Sequence, residues 1–88
     1  MSIIFSEPFR RDYKKLPLDI IQIFDKTLIL LHTNLRHPSI RIKKLPSSDI
    51  WYGRISRNYR FTFEYKNDTI LLRRIGLHAI LDQERRNI

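Results

Sequence analysis

The stretch "IWYGRISRNYRFTFEYKNDTILLRRI", residues 50–75, decides how this chain folds. At its centre, residues 60–66 alternate. Phe61, Phe63 and Tyr65 share one side of a pleated strand, and Arg60, Thr62 and Glu64 share the other. The aromatic side reads as a core face. Asn67-Asp68 supplies a two-residue hairpin connection to "TILLRRI", residues 69–75. Upstream, "IWYGRIS", residues 50–56, sets Trp51 and Ile55 on one parity and Tyr52, Arg54 and Ser56 on the other. The third strand carries apolar residues on both parities, which suits a central position. Three strands joined by short connections predict an antiparallel meander.

Working outward, "SIIF", residues 2–5, is a short strand candidate. Ser6 is placed to cap a first helix, with Glu7 and Pro8 in the opening turn where acid and proline are favoured. Phe9, Tyr13 and Leu16 recur at helical spacing until Pro17 breaks the pattern. A second helix is expected over 18–33, with Ile20, Ile21, Phe24, Leu28 and Leu31 on one stripe. Residues 34–48 form a connector in which Pro38 and Pro46 bracket a basic segment. Asp82, Glu84, Arg85 and Arg86 read as a mixed-charge tail that frays. The order predicts one α+β domain over residues 1–88. An N-terminal strand and two antiparallel helices precede a three-stranded antiparallel meander, with helices on one sheet face and an open basic face on the other.

Charge sharpens that picture. The chain carries 17 Lys and Arg against 9 Asp and Glu, a net +8. Residues 36–74 hold ten of the cations and only three of the acids, so nearly all the excess sits in the sheet half. A one-sided basic surface is the footprint of a polyanion binder. Its cations lie on strands and loops, not on a helix opposite an apolar face, which favours nucleic acid over a membrane. Guanidinium forks suit phosphate oxygens, and an adjacent tyrosine suits base stacking. With no cysteine there is no disulfide framework and no thiolate metal site. His32 and His37 make no metal-ligand spacing, so neither metal nor cofactor is expected. The N-terminal apolar run is too short for a signal peptide or a membrane span, and a cytoplasmic protein is expected.

Three segments together resemble the RelE/ParE toxin superfamily over nearly the whole chain. They are "FRRDYKKLP" on the first helix, "WYGRISRNYRFTFEY" across the meander and "RRIGLH" near the C-terminus. The pattern is nearest to the RelE-like and YafQ-like mRNA interferases. That resemblance implies the toxin of a type II toxin–antitoxin pair, a ribosome-dependent, metal-independent endoribonuclease. In that chemistry a ribose 2′-OH attacks its own 3′ phosphate, which demands a base, an acid and cations for the growing phosphate charge. Residue by residue it implies catalytic roles for Arg60, Arg54 and His78. It also implies RNA contacts from Lys43, Lys44, Tyr52, Arg57 and Arg73. The implied partners are a cognate antitoxin and mRNA on the ribosome, with operator DNA as a ligand of the toxin–antitoxin complex. Two other functions share this fold: gyrase inhibition of the ParE kind, and a non-catalytic member that only binds its antitoxin.

Bland alternatives stand beside these roles. Arg60 could pair with Glu64 or Asp49, and Arg57 could be a loop charge. Tyr52 could pack on the sheet, and His78 could be an ordinary loop histidine. Trp51 is expected in the core.

Overall fold

The computed structural model describes residues 1–86. Its elements run β1 (Ser2–Phe5), α1 (Glu7–Lys14), α2 (Leu18–Thr33), a 3₁₀ turn (Pro38–Ile40), β2 (Lys43–Lys44), β3 (Trp51–Arg54), β4 (Tyr59–Lys66), β5 (Thr69–Leu77) and α3 (Ile80–Arg86). The class is α+β, as the patterning predicts. The strands form one sheet in the order β1-β5-β4-β3-β2. The meander β3–β4–β5 is antiparallel, and Asn67 and Asp68 both take positive φ in its second connection. Asn and Asp tolerate that left-handed region better than most residues.

The sheet is broader than expected. β1 pairs in parallel with β5, Ser2 opposite Thr69 and Phe5 opposite Leu72. The connector adds β2 at the far edge, Lys43 opposite Tyr52. Two residues are too few to show an alternation, so the basic segment between Pro38 and Pro46 reads from sequence only as one that could be extended, not as a strand of this sheet.

Helices α1 and α2 cover one face. An aromatic chain runs from Phe9 to Phe24 (5.6 Å between ring centres), to Phe61 (5.5 Å) and to Phe63 (5.8 Å). Ile70, Leu72 and Ile75 complete the floor, and Leu31 and Ile20 of α2 close it from above. Offset and edge-on rings of this kind add to the stabilisation from buried area. Tyr65, expected in the core, is 41% exposed, because it sits near the end of β4.

Ser6 joins two elements. Its Oγ accepts from the Phe9 N–H (3.3 Å), capping α1, and donates to the Arg73 carbonyl (3.1 Å). Beyond the end of β1, the Asp12 carboxylate accepts from the Ile75 N–H (3.2 Å) and from Arg74 (2.6 Å). A side chain thus satisfies a backbone donor that β1 is too short to reach.

Two features of the other face depart from expectation. The tail at 80–86 is a helix, and it lies against β4 and β5 on the side away from α1 and α2. Ile80 and Leu81 are buried there, and Ile80 would meet a Cβ placed at Gly76. Glu84, read as a solvated tail charge, is 3% exposed and accepts from Arg73 (2.8 Å). The same guanidinium reaches Glu64 (2.7 Å). These contacts anchor α3, and they lay outside the reach of local pattern because each joins two different elements. The face expected to be wholly open is covered over β5, and its exposed part lies toward β2 and β3.

Gly53 is a packing requirement. A Cβ there would lie 2.5 Å from Phe61 Cζ and 3.0 Å from Ile40 Cγ2. Phe61 is fully buried between Phe24 and Phe63 and has no room to yield. Gly53→Ala is expected to cost about 1–3 kcal/mol, the usual penalty for overpacking. A lower urea midpoint at unchanged slope will show it, and an unchanged midpoint will refute it.

No described helix is long and apolar enough to cross a membrane.

Candidate functional site

Strand parity builds the site. Gly53 and Phe61 face the core as a register pair, so their neighbours Arg54 and Arg60, also a register pair, face the other way. Tyr52 shares that face and stands opposite Lys43 on β2. His78 follows β5 directly, and its backbone N–H donates to the Asn58 carbonyl (2.8 Å), which holds the turn against the β3–β4 loop. Arg41 completes the group from the connector, in the left-handed region at φ 52°. Together Arg41, Lys43, Tyr52, Arg54, Arg60 and His78 line one pocket of about 210 Å³.

No carboxylate lines that pocket. Arg60 is half-buried, and neither Glu64 nor Asp49 pairs with it. Instead its Nη1 donates to the carbonyls of Ser56 (2.7 Å), Tyr59 (2.9 Å) and Arg57 (3.3 Å). Among the described residues its Nε and Nη2 have no protein partner. One nitrogen therefore holds the loop while the rest of the fork remains available to a ligand. Burial first, then the charge of Arg54, with Arg41 adding to it, holds the Arg60 guanidinium below the ordinary arginine value. Tyr52 works in the opposite direction. A cation destabilised by burial and by like charge is relieved by an incoming anion.

Of the residues expected at the site, Arg54, Arg60, His78, Lys43 and Tyr52 come together. Three do not line it. Lys44 points to the helix side, with its ammonium 5.7 Å from the centre of the Trp51 ring. Arg57 is exposed in the β3–β4 loop, contributing its carbonyl to Arg60. Arg73 is held by Glu64 and Glu84. Both acids raise its pKa, Glu84 the more. Arg41 was missed by pattern; its only sequence signal was membership of the basic run "RIKK", residues 41–44. Among the described residues no His, Asp or Glu cluster has the makings of a metal site.

The whole architecture superposes on solved toxins. YafQ from E. coli strain BL21(DE3) matches 91% of this chain and 96% of its own, with a TM-score of 0.77 at 17% identity. RelE in the RelB-RelE antitoxin-toxin complex from Methanococcus jannaschii matches over 90% and 94%, with a TM-score of 0.72 at 22% identity. The fold is that of the RelE/ParE toxins. A YoeB/ParE toxin from Agrobacterium tumefaciens extends the likeness, with a TM-score of 0.74 at 12% identity over 89% of this chain and 99% of that one. No protein-family model matches the chain, and no curated protein matches it in sequence. At such identities the likeness to the RelE/ParE toxins is one of fold, so the chemistry of the pocket has to be argued from the pocket itself.

Proposed function

We propose that this protein is the toxin of a toxin–antitoxin pair and that it cleaves mRNA on the ribosome. The observation that carries the reading is the acid-free pocket, in which four cationic side chains and one imidazole converge and most of the Arg60 fork is free. A phosphodiester supplies the charge the pocket lacks, and guanidinium forks match its non-bridging oxygens. Tyr52 offers a ring at the same rim for a base to stack upon.

The reaction follows from those groups. The 2′-oxygen bonds to phosphorus while the bond from phosphorus to O5′ breaks. The 2′ proton passes to a base, and O5′ gains a proton as it leaves. Arg60 and Arg54, with Lys43 and Arg41 at the rim, stabilise charge on the phosphoryl oxygens as it builds. His78 is the proton-transfer group, since it is the one side chain lining the pocket that can both accept a proton at a ring nitrogen and donate one.

The test is cleavage of a translated mRNA followed by analysis of the new ends. A 2′,3′-cyclic or 3′-phosphate end and a 5′-hydroxyl end are expected. A 3′-hydroxyl end would overturn the mechanism. Intact mRNA together with inhibited DNA supercoiling in a parallel gyrase assay would replace the nuclease reading with the gyrase one. Cleavage should persist in EDTA once ribosomes are stabilised without free Mg²⁺, because arginines are assigned the charge stabilisation.

A further inference from the structure

Arg54, Arg60 and Gly76 are successive register partners, one row across β3, β4 and β5 on the pocket face. Beside two arginine side chains, the third place in the row is bare. The backbone does not require glycine there, since no glycine among the described residues takes positive φ. Strand propensity opposes it, because glycine weakens a strand and leaves nothing to pack. Ile80 of α3 fills the space instead. It is buried, and its Cγ2 would lie 3.1 Å from a Cβ on Gly76. The first turn of α3 thus comes down onto the sheet at the place beside Arg60.

We propose that Gly76 is a positioning residue for His78: the missing side chain seats Ile80, and Ile80 so seated holds the imidazole in the pocket. The proposal rests on reading His78 as the proton-transfer group. Two residues apart on one strand line, Gly76 and His78 share a face. The His78 side chain is exposed, so its place is set by its main chain. That main chain is tied on both sides. Its N–H donates to the Asn58 carbonyl (2.8 Å), and its carbonyl accepts from the Leu81 N–H (3.1 Å). The second bond joins His78 to the first turn of α3, whose height over the sheet Ile80 sets. The far end of α3 is fixed by Glu84 on Arg73. A side chain at position 76 therefore lifts the near end, where His78 is. Ile80 cannot turn its methyl away, because a β-branched residue in a helix has one strongly preferred rotamer. The lift needed is a few tenths of an ångström. Misplacing a reacting group by about 1 Å costs about 10²-fold, so this smaller shift should cost about 3–10-fold. Stability would be served by a side chain here and proton transfer by its absence, a conflict common at functional positions.

The experiment compares Gly76→Ala with the wild type in three ways: kcat and KM for mRNA on programmed ribosomes, thermal melting, and NMR of the three histidines. kcat should fall about 3–10-fold. KM should hold, because Arg54 and Arg60 stay in place, and the melting temperature should change little. The ring signals of His78 should move while those of His32 and His37 stay. Adding Ile80→Leu, which removes the Cγ2 methyl, should return both the rate and the ring signals toward the wild type. In a His78→Ala background, Gly76→Ala should add no further defect, since a residue acting through His78 has nothing left to act on. The proposal falls if Gly76→Ala keeps the wild-type kcat, if the His78 signals do not move, or if Ile80→Leu restores nothing. It also falls if the defect persists in full without His78, which would place the effect on Arg60, the neighbour in the row. A raised KM at unchanged kcat would make the added methyl an obstacle to RNA binding instead. A wild-type chain that cuts no mRNA refutes the nuclease reading, and the shift of the His78 ring and its reversal by Ile80→Leu still test the positioning.

Discussion

Arg60→Ala will lower mRNA cleavage by about 10²–10³-fold, the loss typical of removing one donor to a developing oxyanion, and the folded protein will remain. The side chain has two duties. Its Nη1 ties together the carbonyls of Ser56, Arg57 and Tyr59, and the remaining N–H groups are left for a ligand. The carbonyls it releases belong to a loop whose Arg57 and Asn58 are exposed, so water can replace it there. Arg54 and Arg41 line the same pocket, so the expected loss is that of one donor among several. Arg60→Lys keeps the charge and should recover little of the rate, because an ammonium cannot serve three carbonyls and a phosphate in one plane. Full cleavage by a folded Arg60→Ala protein would remove Arg60 from the mechanism. His78→Ala separates the proton role from the charge role. Its defect should shrink on a substrate with sulfur in place of the 5′ oxygen if His78 protonates the leaving group, since a thiolate leaves without an acid. An undiminished defect would assign His78 to the 2′-hydroxyl.

Arg73→Ala acts on stability instead. The substitution leaves Glu84, 3% exposed, without its guanidinium. Breaking a buried pair from one side typically costs about 3–5 kcal/mol. Arg73 is itself 30% exposed and water can enter, so the expected loss lies at or below the bottom of that range, about 2–3 kcal/mol. For a domain of this size that lowers the melting temperature by about 8–24 °C. Adding Glu84→Gln should restore a large part, because an amide in the same place carries no charge to strand. Equal melting temperatures for wild type and Arg73→Ala would show that the pair contributes nothing to holding α3.

Local chemistry made much of this legible in the sequence. Ser6 caps α1, α2 spans Leu18–Thr33, and the Asn67-Asp68 turn closes β4 onto β5, each where spacing and residue type placed it. Parity put Arg54 and Arg60 on one face, because every second residue of a strand shares a face, and the register of β3 on β4 makes them neighbours. Long-range pairing stayed hidden. The partner of Glu84 is a strand arginine eleven residues earlier, and the helix around it is too short to show a stripe. Register also shifts between Thr62 and Phe63, with Thr62 opposite Arg74 and Phe63 opposite Leu72, which leaves Arg73 outside the pairing. Simple alternation along "LLRRI" therefore misplaces Arg74, which stands opposite Thr62 and not on the face of Leu72, while Arg73 is held by Glu64 and Glu84 and does not reach the pocket. Arg41 was unreadable for a related reason: its left-handed backbone breaks the alternation that would have grouped it with Lys43.

The parallel pairing of Ser2–Phe5 with Thr69–Leu72 sets a sequence of events during synthesis. The first strand leaves the ribosome many residues before its partner exists, whereas β4 and β5 need only a two-residue turn to meet. Contacts between distant segments form slowly because a long loop must close before any pairing rewards it. The hairpin is thus the natural starting point of folding, and β1 arrives last, with Ile3 and Phe5 meanwhile exposing apolar surface to solvent. α1 is carried into place with it, since Ser6 and Asp12 bind only after β5 is present. A nascent chain halted before residue 69 would display a sticky N-terminal strand, and it is at this stage, more than in the finished fold, that the protein is most open to aggregation or to capture by a chaperone.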